Sequence, residues 1–169
     1  MKSVVITGAN RGIGLELCKQ YLANGNRVFA TYRNSMGGLE EIESPYLSTF
    51  KLDVRYEKDV RAFVSSIDCD VDILINNAGV TDGRWQSISE IDMKHAMEVI
   101  EVNSIAPVLI TQKFEEKLKP GSKIVMMSSL MGSISDCMSG KSYAYRASKT
   151  ALNMFSVAMK NELESQGIS

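Results

Sequence analysis

Short apolar runs rich in β-branched residues alternate along this chain with longer segments in which apolar residues recur at helical spacing. The apolar runs predict strands near 2–7, 27–32, 48–53, 71–76 and 122–128. The amphipathic segments predict helices near 12–24, 36–43, 57–67, 89–118 and 143–166. Because strands that alternate with helices build parallel sheets covered on both faces, the pattern predicts one α/β domain.

Right-handed connections between these elements fix the order of the strands. They give a doubly wound parallel sheet with the strand order 3-2-1-4-5. Its winding reverses between the first and fourth strands, and ligands of such sheets bind at the carboxyl ends of the strands at that point. Residues 8–14 and 76–79 follow these two strands, so we expect both segments to contact a ligand.

Three glycines follow the first strand, in Thr7-Gly8-Ala9-Asn10-Arg11-Gly12-Ile13-Gly14. A glycine-rich turn between a buried strand and a helix binds anions, because its N–H groups and the helix dipole point to one place. Gly8 can form the tight turn, Gly12 can let a pyrophosphate approach the backbone, and Gly14 can pack the helix closely on the strand. We therefore expect a dinucleotide at this loop.

The residues after the second strand indicate which dinucleotide is bound. Sites for NAD place a carboxylate about 20 residues beyond the glycine loop, where it holds the ribose 2′-hydroxyl. This chain has Thr31-Tyr32-Arg33-Asn34 there instead, and Arg11 lies within the loop. Two guanidiniums suit a 2′-phosphate, so we predict NADP(H). The alternative is that both arginines only solvate the surface.

A second set of reactive side chains lies in Tyr143-Ala144-Tyr145-Arg146-Ala147-Ser148-Lys149. Tyr145 and Lys149 are four residues apart on a predicted helix, so their side chains share a face. A fixed cation beside a phenol favours the phenolate, which makes the phenol a usable general acid and base near neutral pH. Lys149 has three donors and could also hold the hydroxyls of a bound sugar.

Five motifs in order resemble those of the short-chain dehydrogenase/reductase family, and the resemblance covers essentially the whole chain. They are Thr7 to Gly14, Asn76 to Gly79, Asn103, Ser129, and Tyr145 with Lys149. The segments 29–33 and 143–153 further resemble the branch that contains sniffer-type carbonyl reductases and C-factor-like signalling proteins. This resemblance implies a Rossmann-type fold and an oxidoreductase.

The resemblance also implies a catalytic set. Tyr145 would exchange a proton with the substrate oxygen, Ser129 would hydrogen-bond that oxygen, and Lys149 would support the phenolate and hold the nicotinamide ribose. Asn103 would help to hold a water connected to the lysine. Ser128 is the alternative serine, since the interval from Ser129 to Tyr145 is longer than is usual in the family.

The cofactor site implied by the same resemblance includes Asp53, as an acceptor for the adenine amino group. The alternative for Asp53 is a helix cap, and the alternative for 76–79 is an ordinary turn. The full predicted set is Gly8, Asn10, Arg11, Gly12, Ile13, Gly14, Arg33, Asp53, Val54, Asn77, Ala78, Gly79, Tyr145 and Lys149.

Pro107 lies four residues beyond Asn103 within the long predicted helix. Proline has no N–H to donate to the carbonyl of the residue four positions earlier. The sequence therefore predicts a kink and a freed main-chain oxygen at Asn103, which would suit a water relay. The alternative is an incidental proline kink.

Composition and charge narrow the function classes. The 19 basic and 20 acidic residues nearly cancel, which gives no reason to expect nucleic acid or an anionic membrane as a partner. No apolar run approaches the roughly 18 residues of a membrane span, and the first strand starts too close to Met1 for a signal peptide. Three widely spaced cysteines, Cys18, Cys69 and Cys137, fit reduced thiols of a cytoplasmic protein. The single histidine, His95, has no ligand cluster, so we expect no metal.

These observations together predict an NADPH-dependent carbonyl reductase or alcohol dehydrogenase. The loops 81–92, which includes Trp85, and 130–142 are expected to line a pocket for an apolar carbonyl compound. The alternative is a C-factor-like signalling protein that binds a dinucleotide and needs no turnover.

Two expectations concern assembly and extent. The helices 89–118 and 143–166 are expected to form the interface of a homodimer or homotetramer, as the family resemblance implies. Gly167 is a plausible helix cap, and Ile168 resembles the first residue of a further strand. We therefore expect 1–169 to be a single dinucleotide-binding domain that lacks the C-terminal strands of the family.

Overall fold

A computed structural model describes residues 1–82 and 87–169 and contains a parallel sheet with the predicted topology. Within the described residues the strands lie in the order β3-β2-β1-β4-β5, and every pairing is parallel. The strands are β1 (Ser3–Ile6), β2 (Arg27–Tyr32), β3 (Leu47–Lys51), β4 (Val71–Asn76) and β5 (Leu118–Met126). The doubly wound α/β fold is thereby confirmed.

Helices cover both faces of this sheet. The α-helices are α1 (Gly12–Ala23), α2 (Glu57–Ser66), α3 (Met93–Ile100), α4 (Ala106–Phe114) and α5 (Tyr143–Leu163). The segment predicted as a helix over 36–43 is a 3-10 turn, Gly37–Glu41. Further 3-10 turns are Ile88–Glu90, Glu115–Lys117, Leu130–Gly132 and Glu164–Gln166.

The core has two layers because successive strand residues point to opposite faces of the sheet. Val5 belongs to the layer under α2 and α4, whereas its neighbours Val4 and Ile6 belong to the layer under α1. Cys18 of α1 is fully buried, and burial raises the pKa of its thiol to about 12. That thiol is therefore a packing group.

The prediction of one helix over 89–118 is wrong. Asp92 accepts hydrogen bonds from two N–H groups of the following turn, so α3 starts only at Met93. The helix is then interrupted by a π-helical turn, Glu101–Ile105, in which the Ala106 N–H donates to the carbonyl of Glu101. Pro107 follows at the start of α4, so the irregularity predicted around Asn103 is present as a π turn.

The start of β5 also differs from the prediction. Leu118, which was assigned to the helix, pairs with Val71 of β4, and the register shifts before Lys123 pairs with Ile73. At this irregularity the Ser122 hydroxyl donates a 2.7 Å hydrogen bond to the carbonyl of Val71. The strand ends at Met126, so both candidate serines lie in the loop beyond it.

The last residues run along β5. Gly167 adopts a left-handed conformation with φ of 73° and ends the helical segment, as predicted. The carbonyl of Ser169 accepts from the Ile124 N–H at 2.7 Å, and the Ser169 N–H donates to Ser122 at 3.1 Å. These bonds have the alternation of a parallel ladder. Ile168, the residue before Ser169, is buried.

Candidate active site

A cleft of about 560 Å³ opens at the carboxyl ends of β1 and β4, where the sheet winding reverses. Twelve of the predicted cofactor residues line it: Gly8, Asn10, Arg11, Gly12, Ile13, Gly14, Arg33, Asp53, Val54, Asn77, Ala78 and Gly79. The walls also include residues that the sequence analysis did not single out, among them Ser35, Leu52 and Val102. The structure therefore brings together segments that are far apart in sequence.

Two of the three glycines in the glycine loop, Gly8 and Gly14, are in close contact with neighbouring residues. A side chain at Gly8, whose φ is 63°, would place Cβ 2.8 Å from the Ala78 Cα. A Cβ at Gly14 would collide with the Asn77 amide. Gly12 has a φ of 56°, and no described atom lies within 4 Å of the position of its absent Cβ. Gly12 therefore leaves open space in the cleft, whereas the other two allow backbone and side chains to pack closely.

Asn77 and Thr7 tie the ends of β4 and β1 together. The Asn77 Nδ2 donates to the carbonyls of Thr7 and Gly8, each at 2.9 Å. The Thr7 hydroxyl oxygen in turn accepts from the N–H groups of Asn77 and Ala78, each at 3.0 Å. Asn76 points elsewhere and donates to Thr111. The Asn-Asn-Ala-Gly segment is therefore held against the glycine loop from both sides.

Charged groups cluster at the end of the cleft next to β2 and β3. Both carboxylate oxygens of Asp53 accept from the Arg55 guanidinium, at 2.9 and 2.6 Å. Arg55 thereby lowers the pKa of the Asp53 carboxyl. Arg55 also contacts Glu98 at 3.0 Å, and the guanidinium of Arg33 lies 3.8 Å from the same carboxylate. Asp53 does not cap α2, whose N-cap position is Tyr56.

Tyr145 and Lys149 face each other on α5 as the spacing predicted. The Lys149 Nζ lies 5.7 Å from the centre of the Tyr145 ring. It donates a 2.6 Å hydrogen bond to the main-chain oxygen of Met127, and the residue is only 6% exposed. Burial lowers the pKa of the Lys149 ammonium. Two of its three donors stay available for other groups.

Asn103 is fully buried, and its side chain makes two hydrogen bonds to the main chain of Val80. The amide oxygen accepts from the Val80 N–H at 2.8 Å, and the Nδ2 donates to the Val80 carbonyl at 2.8 Å. The same Nδ2 also lies 3.0 Å from the hydroxyl of Ser148. That hydroxyl donates to the Tyr145 carbonyl at 2.7 Å. Asn103 therefore connects the cleft wall with the helix turn that carries Tyr145.

The two candidate serines have different partners. The hydroxyl of Ser128 donates to the Asn153 Oδ1 at 2.6 Å. The Ser129 Oγ accepts from the Met131 N–H at 3.2 Å, which leaves its own proton for another acceptor. The turn after Ser129 packs on α5, because a Cβ at Gly132 would lie 2.8 Å from the main chain of Lys149. The geometry favours Ser129 as the hydroxyl that a substrate oxygen could reach.

Sequence reasoning missed two buried polar residues of this site. Ser148 lies within the motif itself, but nothing in the spacing indicated that its hydroxyl joins Asn103 to Tyr145. Asp82 is fully buried and accepts from the N–H of Tyr145 at 3.0 Å. Ser142 is the N-cap residue of α5, and its side chain makes no capping bond.

The predicted substrate loops are only partly described. Trp85 lies outside the described residues. In the second loop, Leu130, Ile134 and Met138 are 75%, 80% and 91% exposed. His95 is half-buried, and its Nδ1 lies 3.5 Å from Glu98. In the described part of the chain, no group of His, Cys, Asp and Glu side chains could hold a metal ion.

Known proteins resemble this chain in both sequence and structure. The carbonyl reductase from chicken fatty liver, solved with NADPH bound, is 33% identical and superimposes with a TM-score of 0.90 over 99% of this chain and 76% of its own. The carbonyl reductase Sniffer of D. melanogaster is 27% identical, with a TM-score of 0.91 over 99% of this chain and 77% of its own. The C-signal protein of Myxococcus xanthus is 34% identical over 111 residues, which are 64% of this chain and 66% of that protein.

The sequence alignments cover most of this chain but only part of the length of each relative. The alignments with three curated relatives span 67%, 66% and 55% of the lengths of those proteins. None of the helices in 1–82 and 87–169 has the length and apolar character that crossing a membrane requires. The family model for short-chain dehydrogenases matches residues 2–169. With the sheet, the cleft and the Tyr145–Lys149 pair in place, the chain belongs to the short-chain dehydrogenase family.

Proposed function

We propose that this protein is an NADPH-dependent oxidoreductase that interconverts a carbonyl compound and its alcohol, with Tyr145 as general acid and base. The observation that carries the proposal is the pair formed by Tyr145 and the buried Lys149 ammonium, 5.7 Å from the ring centre. An ammonium held beside a phenol favours the phenolate and so makes proton exchange efficient near neutral pH.

The cleft fits a phosphorylated dinucleotide. Gly12 leaves room for a pyrophosphate at the start of α1, where the helix dipole favours an anion. Arg11 and Arg33 line the same cleft and would hold a 2′-phosphate, while Asp53 and Val54 would bound the adenine. The carbonyl reductase from chicken fatty liver, whose structure contains NADPH, supports this cofactor.

The chain's own residues would transfer the proton and stabilise the negative charge that develops on the substrate oxygen. The chemistry supplied by a bound nicotinamide is hydride transfer to or from the substrate carbon. In reduction, Tyr145 gives its phenolic proton to the substrate oxygen, and Ser129 donates a hydrogen bond to the same oxygen. Lys149 stabilises the phenolate that remains and has donors left for the ribose. Asn103 positions the cleft wall through Val80.

The exposed apolar side chains of Leu130, Ile134 and Met138 support an apolar substrate. The test is to measure oxidation of NADPH with a panel of aromatic aldehydes, ketones and quinones, for the native protein and for Tyr145→Phe. We expect turnover of at least one of these classes and a loss of about a hundredfold or more in kcat for Tyr145→Phe. Undiminished turnover by Tyr145→Phe would refute the assignment.

The second candidate function is a signalling role that needs dinucleotide binding without turnover. The 34% identity to the C-signal protein of Myxococcus xanthus supports it. Expression of Tyr145→Phe in the native host separates the two functions. A signalling role survives the loss of the phenol, whereas an enzymatic role does not.

We also propose that the protein is a homo-oligomer that associates through α3 and α5. Met93, Met97, Met154 and Val157 on these helices are 68%, 63%, 70% and 56% exposed. Light scattering of the double variant Met97→Glu, Met154→Glu tests this, with Met138→Glu as a control outside both helices. We expect the mass to fall to that of one chain only in the double variant.

A further inference from the structure

Asp82 is a buried carboxylate directly beside the residue that carries the proposed chemistry. It is 0% exposed, and its Oδ2 accepts the main-chain N–H of Tyr145 at 3.0 Å. The two residues are 63 positions apart in the chain. A carboxylate is costly to bury unless it is hydrogen-bonded, so a feature of the fold must account for its place here.

The reason lies at the start of α5, which has no cap of its own. Its N-cap residue, Ser142, has a φ of 50° and makes no side-chain bond to the helix. Lys141 before it has a φ of 75°, so two residues with side chains occupy the left-handed region. Tyr145 is the third residue of the helix, and its N–H is one that an N-cap side chain normally satisfies. Asp82 does this instead.

Asp82 is also the last of three anchors along one short segment. Asn77 fastens the segment to the glycine loop, and Val80 is held at both its N–H and its carbonyl by Asn103. Asp82 then fastens it to Tyr145. Val80 and Tyr145 pack in the same small apolar cluster with Ala144. The segment thus connects the cofactor loop to the first turn of the helix with the reactive phenol.

We infer that Asp82 is a positioning residue, which holds the first turn of α5 so that the Tyr145 phenol stays beside Lys149. The inference rests on the proposed function only in giving Tyr145 a catalytic role. A carboxylate suits this place because the N-terminus of a helix attracts negative charge. The required feature is one acceptor oxygen, since Oδ1 has no hydrogen-bond partner within 1–82 and 87–169.

Two substitutions of Asp82 separate positioning from mere stability. Asp82→Asn keeps an acceptor for the Tyr145 N–H, whereas Asp82→Ala removes it. We expect Asp82→Ala to lower kcat for carbonyl reduction by about tenfold or more, with a change of less than about threefold in KM for NADPH. Asp82→Asn is expected to restore kcat to within about threefold of the native protein.

Hydrogen exchange of the peptide 143–149 gives a readout that needs no turnover. With the acceptor removed in Asp82→Ala, the amides of this peptide should exchange about tenfold faster or more, and in Asp82→Asn at the native rate. The matched control is Asp92→Ala, which removes the side-chain cap of α3. It should lower the melting temperature while leaving kcat and the exchange of 143–149 unchanged.

Native exchange rates and native kcat in Asp82→Ala would overturn the inference, as would equal losses in Asp92→Ala. If Asp82→Ala does not fold, Asp82→Asn decides alone: a loss of more than about tenfold in kcat, or faster exchange at 143–149, contradicts a role that needs only an acceptor. If the native protein reduces no carbonyl compound, the proposed function fails, and the exchange measurement still decides the role of Asp82.

Discussion

The Lys149 Nζ donates a 2.6 Å hydrogen bond to the main-chain oxygen of Met127, one residue beyond the end of β5. This bond fixes the ammonium between the loop of the candidate serines and the ring of Tyr145. It also compensates only part of the cost of burial, since the residue is 6% exposed and has no carboxylate partner in 1–82 and 87–169. The placement of the charge therefore costs stability.

The first prediction is that Lys149→Met changes how stability depends on pH. Burial lowers the pKa of Lys149 below its ordinary 10.5 in the folded state. Between the folded pKa and 10.5 the unfolded chain therefore binds more protons than the folded chain. The free energy of unfolding should thus rise with pH across this window, and this contribution should be missing in Lys149→Met.

Urea unfolding at a series of pH values from neutral to mildly alkaline measures this difference. Lys160→Met, which replaces an exposed lysine on the same helix, is the control and should keep the native pH dependence. Equal slopes for the native protein and Lys149→Met would show that burial of this ammonium does not shift its titration.

The second prediction concerns the Asp53–Arg55 pair. Arg55 lowers the pKa of Asp53 below 3.8, so the pair stabilises the fold above that pH and loses its effect as pH falls through the lowered pKa. Arg55→Met leaves a largely covered carboxylate without its cation. We expect this substitution to reduce the free energy of unfolding at pH 7 by about 1–2 kcal/mol. The part of the acid-induced loss of stability that comes from this pair, which the native protein shows below about pH 4, should then be absent.

Urea unfolding at pH 7 and at pH 3 checks this prediction. Arg61→Met is the matched control, because Arg61 pairs with Glu57 on the exposed face of α2. The control should lose less stability at pH 7, since exposed ion pairs contribute little. Equal losses in the two variants would contradict a special role for the pair at Asp53.

The sequence predicted the strand order and the cleft because both depend on local patterns that the chain repeats. The buried strands β1 and β4 are short apolar runs, and the glycine loop and the Asn-Asn-Ala-Gly segment follow them directly. These features are local, and the handedness of the connections then determines how they meet.

Contacts between distant residues could not be predicted in the same way. The bond from Tyr145 to Asp82 spans 63 positions, and nothing near Ser142 indicated that the helix lacks its own cap. Leu118 was predicted to end a helix, whereas its pairing with Val71 depends on the neighbouring strand. Tertiary contacts therefore determine the features that the sequence pattern did not predict or predicted wrongly.

The third prediction is that Arg33 sets the preference for a phosphorylated cofactor. Arg33 lines the cleft, and no carboxylate at the end of β2 offers an acceptor for a ribose 2′-hydroxyl. Arg33→Ala should weaken binding of NADPH by about tenfold and leave binding of NADH nearly unchanged, since only the first carries the 2′-phosphate. Fluorescence titration of both cofactors measures the ratio of the two dissociation constants.

Arg55→Met serves again as a control for this measurement, because it removes a nearby positive charge that lies outside the cleft lining. It should change the affinities for the two cofactors by similar factors. An unchanged ratio of dissociation constants in Arg33→Ala would mean that Arg33 only solvates the surface, which was the alternative interpretation of the sequence.

The fourth prediction distinguishes the two neighbouring serines. Ser128 donates its proton to Asn153, whereas Ser129 accepts from the Met131 N–H and keeps its proton for a substrate oxygen. Because a donor aimed at developing charge contributes about a hundredfold to a thousandfold to kcat, Ser129→Ala should lose activity by about that factor. Ser128→Ala should keep kcat within about threefold, since its bond to Asn153 contributes only to stability. Steady-state kinetics of both variants with one carbonyl substrate decide between them, and a larger loss in Ser128→Ala would move the catalytic hydroxyl to Ser128.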